Sequence, residues 1–267
     1  MAKGNSIVIM NAKEELYGSH LSTARVARII LTYEIGVGAF TYVLYSPKNL
    51  PWIVGWMIAS AIYVYRVILP RGINANYSRH AETERNRFLN IVTQGMTSKN
   101  ANIVNVLENA SKKAEGEFKL DLEQLLATLL QASSQEVQHQ AFLNIEHKYS
   151  DDIYFGLFME QVETVYYESQ YHPETFKTFE MSHNTLLSRE REFIRRKKAR
   201  QAQLLMMSVI SLAVVAICLY SNGYSQFIKI YATKPTGYAV STVYLLIMAF
   251  IYNGFYKRYY DDNVTSY

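Results

Sequence analysis

The stretch Ser188–Met207, SREREFIRRKKARQAQLLMM, carries seven basic side chains between Arg189 and Arg200 and then turns apolar. Two readings compete: a nucleic-acid surface, or a marker that fixes which side of a membrane this segment occupies. A nucleic-acid surface relies on exposed Lys and Arg together with base-reading or stacking groups. The run holds one aromatic residue, Phe193, and the sequence has no other concentrated basic stretch. An uncharged segment opens one helical turn further on. Arg189, Arg191, Arg195, Arg196, Lys197, Lys198 and Arg200 therefore read as a membrane-proximal collar. At anionic headgroups each such cation contributes about 1 kcal/mol. Glu190 and Glu192 are expected to pair with Arg195 and Arg196 along the helix, at about the spacing of helical ion pairs.

Composition agrees with a membrane protein that carries a polar domain. Of 267 residues, 49% are hydrophobic, only 19% are charged, and 22 are tyrosine, with a net charge of +4. The lone Cys218 excludes an intramolecular disulfide and a cysteine-rich metal site. SIVIM at residues 6–10 is too short for the apolar core of a signal peptide, so none is expected.

Four windows are long enough to cross about 30 Å of hydrocarbon at about 1.5 Å per helical residue. They are Ile29–Tyr45, Pro51–Leu69, Leu204–Tyr220 and Tyr238–Phe255. Trp52, Trp56, Tyr45, Tyr220 and Tyr256 lie at or near their ends, where amphipathic rings favour the interface. The connectors at 46–51 and 221–237 hold one and two Lys, whereas Arg25, Arg28, Arg66, Arg71, the collar, Lys257 and Arg258 flank the other ends. The positive-inside rule then expects both termini and the central block in the cytoplasm. The expected fold class is an all-α membrane protein: four transmembrane helices with a cytoplasmic six-helix bundle between the second and third. The expected segments are an N-terminal stretch 1–28, a hairpin of spans 29–69, the bundle 70–203, a second hairpin 204–255 and a tail 256–267.

Within the block the apolar spacing is helical, and six helices are expected: 76–95 stopped by Gly95, 101–114 stopped by Gly116, 119–131, 134–149, 151–170, and one starting at Pro173. Ser133 and Glu136 have capping-box spacing, and Asp151-Asp152 suit a helix N-terminus. No breaker stands between Glu174 and Met207, so the sixth helix is expected to run straight into the third span. The expected core stripes include Leu122, Leu125, Leu126, Leu129, Leu130, Val137, Ile153, Phe155, Phe158, Val162, Val165, Phe176, Leu186 and Leu187.

The chemistry is sparse. There is no GxxxxGK[ST], no GxGxxG and no recognisable nucleophile triad, so the chain is expected to be neither an ATPase nor another enzyme, and to need no cofactor. Glu136-x-x-His139 and Glu180-x-x-His183 have di-iron spacing, but His139 falls off its apolar stripe and His183 reads as a buried, hydrogen-bonded histidine. No metal site is expected. Glu34 and Arg66 are charges inside spans. They either pair across the first hairpin, snorkel separately, or serve transport. Gly55 with Ala59, and Gly36 with Gly38, permit close helix contact within the chain or between copies.

Two spans, a helical bundle and two further spans resemble the type II secretion F-type family, in particular the single-bundle inner-membrane platform proteins of Tad-type pili. The stretches that carry the resemblance are RFLNIVTQGMTSKNANIVNVLENAS (Arg87–Ser111) and LLSREREFIRRKKARQAQLL (Leu186–Leu205), within a similarity covering about 65–255. The family's glycine before the last bundle helix is absent from YYESQYHPETF (Tyr166–Phe176). The resemblance implies a non-enzymatic platform in the cytoplasmic membrane, oligomeric with itself or a related platform protein. It also implies that the bundle meets a hexameric assembly ATPase and the spans receive pilin or pseudopilin subunits. Membrane lipids are the remaining expected partner, and nucleic acid is not one. Asp121, Glu123, Asp151, Asp152, Glu160 and Glu163 would offer the docking surface, or else a plain solvated face. A membrane-anchored helical signalling adaptor or a small transporter shares the expected topology and stays open.

Overall fold

The computed structural model describes residues 6–17, 20–97, 101–132, 134–168, 173–221 and 223–260. Among them there is no strand. The helices are α1 (Ser6–Glu15), α2 (Thr23–Tyr45), α3 (Leu50–Tyr63), α4 (Leu69–Met96), α5 (Ile103–Lys113), α6 (Gly116–Gln131), α7 (Gln135–Lys148), α8 (Ile153–Glu168), α9 (Pro173–Tyr220), α10 (Tyr224–Phe227) and α11 (Pro235–Tyr259). Among the described residues, four helical stretches are long and apolar enough to cross a membrane: Thr23–Tyr45, Pro47–Met96, Glu174–Tyr220 and Pro235–Tyr259. The chain divides into two compact units, whose boundaries fall inside α4 after Ala75 and inside α9 before Phe193.

The first unit holds the apolar helices. α3 and α4 form one continuous helix through a π turn at Val64–Ile68, where the Leu69 N–H reaches back to the Val64 carbonyl. The cause is Pro70. A proline inside a helix lacks its N–H and its ring collides with the carbonyl four residues back, here Arg66, and the widened π turn relieves that collision. The second expected span and the first expected bundle helix are thus one element.

At one end of this unit the two expected connectors meet. Asn49 Nδ2 donates to the Ala232 carbonyl at 2.6 Å, Tyr238 donates to Asn49 Oδ1 at 2.8 Å, and the Ser46 and Tyr224 hydroxyls bond at 3.0 Å. Tyr45, Trp52 and Tyr238 stack beside them, with centroids 5.7–6.4 Å apart. Further along, Ser211 bonds Tyr244 and Ser208 bonds Tyr252, joining α9 to α11. Such interhelical bonds contribute about 0.6 kcal/mol each in apolar surroundings. Large apolar side chains such as Ile35, Met207, Ile217 and Phe250 face outward, as lipid contact requires.

The second unit is the bundle, Asn76–Glu192, together with the segment carrying Tyr17. Its core gathers Phe88, Leu89 and Val92 of α4, Leu107 of α5, Phe118, Leu122 and Leu125 of α6, Phe142 of α7, Phe155, Phe158 and Val162 of α8, and Phe176 of α9. Phe88, Phe118, Phe155, Phe158 and Phe176 touch edge to face or tilted, at 5.1–6.1 Å between centroids. Burying each such ring contributes about 1.5–3 kcal/mol.

The expected stripes hold at most positions. Leu130 (72% exposed), Val137 (50%), Ile153 (71%) and Leu186 (39%) turn outward. Each sits near a helix end or beside a better-placed neighbour, where the apolar face has already drifted off the core. The two glycine stops also differ. Gly95 lies within α4, and a Cβ there would sit 2.7 Å from Val106, so it allows α5 to approach. Gly116 opens α6 with φ +68° and lies against the Tyr17 ring, at 2.4 Å from where a Cβ would be. Tyr17 also stacks on His80, at 5.2 Å. The N-terminal segment therefore contributes to the bundle, which its sequence does not announce. Ser133 lies outside the described residues; α7 begins one residue after its N-cap, Ser134.

Candidate functional site

Among the described residues, the bundle carries an interior polar cluster built around Asp152. Asp152 directly precedes α8, and its Oδ1 accepts the Phe155 N–H at 3.1 Å, a helix N-cap. Its Oδ2 accepts from Arg85 Nε of α4 and lies beside His183 Nε2 of α9, both at 3.1 Å. His183 Nδ1 faces Asn86 Oδ1 at 3.1 Å, and the ring is 2% exposed. Arg85 also covers the Tyr149 ring, at 5.1 Å. One carboxylate thus joins three helices. Burial alone would push the Asp152 carboxyl up. The His183 hydrogen bond and charge, the Arg85 guanidinium and the Phe155 N–H outweigh it and hold the carboxyl below its ordinary value. A depressed folded value means that the unfolded chain binds more protons across that window, so this contribution rises with pH and is lost as pH falls through the folded value. The full chain in detergent is therefore expected to lose helical stability below about pH 4. Asp152→Asn should show a shallower acid limb in circular dichroism; an unchanged limb would remove Asp152 as its cause.

The other acids expected to dock a partner are divided. Asp121 is held by Lys148 and by the Tyr149 hydroxyl, at 2.6–2.8 Å. Glu163 is 12% exposed at its side chain and pairs with His139 at 2.7 Å. That hydrogen bond, with the Glu163 charge, raises the His139 value. Asp121, Asp152 and Glu163 thus face neighbours within the bundle, because each lies at a helix–helix seam with a basic residue opposite. Glu123, Asp151 and Glu160 are exposed. Arg85 and Asn86 went unassigned in the sequence because nothing local marks a residue whose partners lie about 67 and 97 positions away.

The two Glu-x-x-His pairs do not converge. Glu136 accepts from Gln140, His139 takes Glu163, and His183 takes Asp152. Among the described residues no three His, Cys, Asp or Glu side chains gather as a metal ion would need.

In the first unit, Glu34 is 8% exposed and accepts a hydrogen bond from Ser60 of α3. It does not pair with Arg66, which is exposed. Ser60 and Arg66 are six residues apart, about 240° around the helix, so the face that meets Glu34 cannot also present Arg66. Within the collar, Arg189, Arg191, Arg195, Arg196, Lys198 and Arg200 are exposed, while Lys197 is partly buried with its Nζ 4.4 Å from the Phe193 ring centre.

No family model matches the chain, and no solved structure matches it. The chain is similar to an uncharacterized protein of Bacillus anthracis, pXO2-23. Identity is 29% over 257 residues, which cover 96% of this chain and 92% of the relative. The similarity therefore takes in both the apolar helices and the bundle, and it carries no activity with it.

Proposed function

We propose that this chain is the membrane platform of a type II secretion or Tad-like pilus assembly machine. In this reading it lies in the cytoplasmic membrane with both termini and the bundle inside. It couples a hexameric assembly ATPase to the insertion of pilin or pseudopilin subunits, and it carries no catalysis of its own. One observation supports it most: α9 is a single helix from Pro173 to Tyr220, carrying Phe176 and His183 of the bundle interior, then the basic collar, then the apolar stretch from Leu204. A chain that borrows work from a partner needs a stiff connection between the part that is pushed and the part that acts in the bilayer. An unbroken helix supplies one. The resemblance in Arg87–Ser111 and Leu186–Leu205 points to the same machine.

The test is to break that connection. Ala199→Pro costs an interior helix about 3 kcal/mol and kinks it. Filament assembly or secretion is expected to be abolished while the protein still accumulates in the membrane. Undiminished output would reduce α9 to an anchor. The bundle partner is tested by purifying the full chain in detergent and identifying what accompanies it; absence of an assembly ATPase, with normal filaments in a deletion strain, would overturn the platform reading.

A further inference from the structure

We infer that the basic end of the apolar unit is a binding site for the phosphate headgroup of an anionic phospholipid, with Arg71 as its central donor. The inference rests on the chain being a membrane protein, not on the platform role. Packing gathers the helix ends that carry the cations. Leu69 and Ile73 cluster with Val26 and Ile29, and Val64 and Ile68 cluster with Tyr256, Tyr259 and Tyr260. Gln201 of α9 lies beside the Tyr256 hydroxyl, which brings the turn just after the collar to the same end. Arg28, Arg66, Arg71, Lys257 and Arg258 all belong to these helix ends.

Among the described residues of this unit, no acid stands at these helix ends. The described residues of this unit contain a single acid, Glu34, and Ser60 already occupies one of its oxygens. Arg71 is the telling member. Its Nη1 is fully buried and has no hydrogen-bond partner. A buried donor left unsatisfied is costly, and more so when it is charged. Exposed cations satisfy themselves with water; a buried guanidinium N–H calls for an acceptor that enters the fold. The neighbouring Gly72 lies under Tyr260, 3.6 Å from its hydroxyl to where a Cβ would be, so a wall of tyrosines closes one side.

The shared chemistry of the ligand is a phosphate, which a guanidinium binds through paired N–H donors. The apolar flanks select a lipid over a free ion. Leu31 and Ile35 of α2 and Phe250 and Ile251 of α11 are exposed on the same helices, about one to two turns further in, where acyl chains would lie. Neighbouring cations would add to the attraction near the surface.

The experiment is thermal unfolding of the full chain in dodecyl maltoside, with added dioleoylphosphatidylglycerol, dioleoylphosphatidylcholine or inorganic phosphate. Phosphatidylglycerol is expected to raise the midpoint by roughly 3–5 °C for each tenfold excess over its dissociation constant, and phosphatidylcholine and free phosphate are expected not to. Arg71→Met should lose the rise, and Lys229→Gln, at the connector end, should keep it. An Asp261→Asn/Asp262→Asn double variant should also keep it, since those acids follow Tyr260 in sequence. Equal responses of Arg71→Met and the wild type, or equal effects of the three additives, would overturn the site. Should Arg71→Met not fold, native mass spectrometry of the wild type decides: phosphatidylglycerol adducts no more abundant than phosphatidylcholine adducts would overturn it. Carbonate extraction reads the membrane assignment separately, since release into the supernatant would defeat that reading whatever Arg71 does.

Discussion

Asp152→Ala is expected to destabilise the bundle by about 3–5 kcal/mol, the range for removing one partner of a buried ion pair. Asp151→Ala, one residue earlier, should stay within about 0.5 kcal/mol. The contrast follows from placement. Asp151 is exposed, whereas the Asp152 side chain is 12% exposed and faces Arg85, itself 14% exposed. Removing the carboxylate leaves that guanidinium without its counterion and His183 with one contact instead of two. It also strips the N-cap of α8, a loss of about 1 kcal/mol by itself. Asp152→Asn keeps the size and one acceptor and should fall between the two. Denaturant titration of the full chain in detergent, followed by circular dichroism, makes the measurement. Equal midpoints for Asp152→Ala and Asp151→Ala would mean that the cluster does not hold the helices together.

Phe158→Ala should cost about 3–5 kcal/mol, since it opens a ring-sized cavity in a packed core. Phe158 is fully buried, edge to face with Phe88 of α4 at 5.9 Å and with Phe176 of α9 at 5.1 Å. It is therefore a side chain through which the first and last bundle helices share one core. Leu157→Ala, next to it and 42% exposed, removes a side chain of comparable hydrophobicity from the surface and should change little. The same titration tests the pair. A Phe158→Ala midpoint close to that of Leu157→Ala would show that α8 does not bridge α4 and α9 through this ring.

These two predictions mark how far the sequence could be read. It named Asp151 and Asp152 together, as helix-start acids and as docking acids, and could not separate them. Their spacing from each other is one residue, but their partners are set by α4 and α9. The sequence likewise proposed Glu34 with Arg66 because both are charges in apolar segments. The actual partner, Ser60, is an ordinary small polar residue that no pattern singles out. Arg71 was legible only as one more flanking cation, and the burial of its Nη1 without a partner appears only in the fold.

What the sequence determined by itself was periodicity and polarity. Four apolar stretches, the short breaks between bundle helices, and the unbroken run from Pro173 into Leu204–Tyr220 are local properties, written in the order of residues and in the places where glycine and proline interrupt it. Even there, Pro70 did not end a helix, because a π turn absorbed the clash at little cost. Tertiary structure alone decided which charges are spent inside the fold and which remain on its surface. Ion pairs and unsatisfied donors depend on the approach of helices far apart in sequence, and the free energy of a charge depends on the burial that this approach creates.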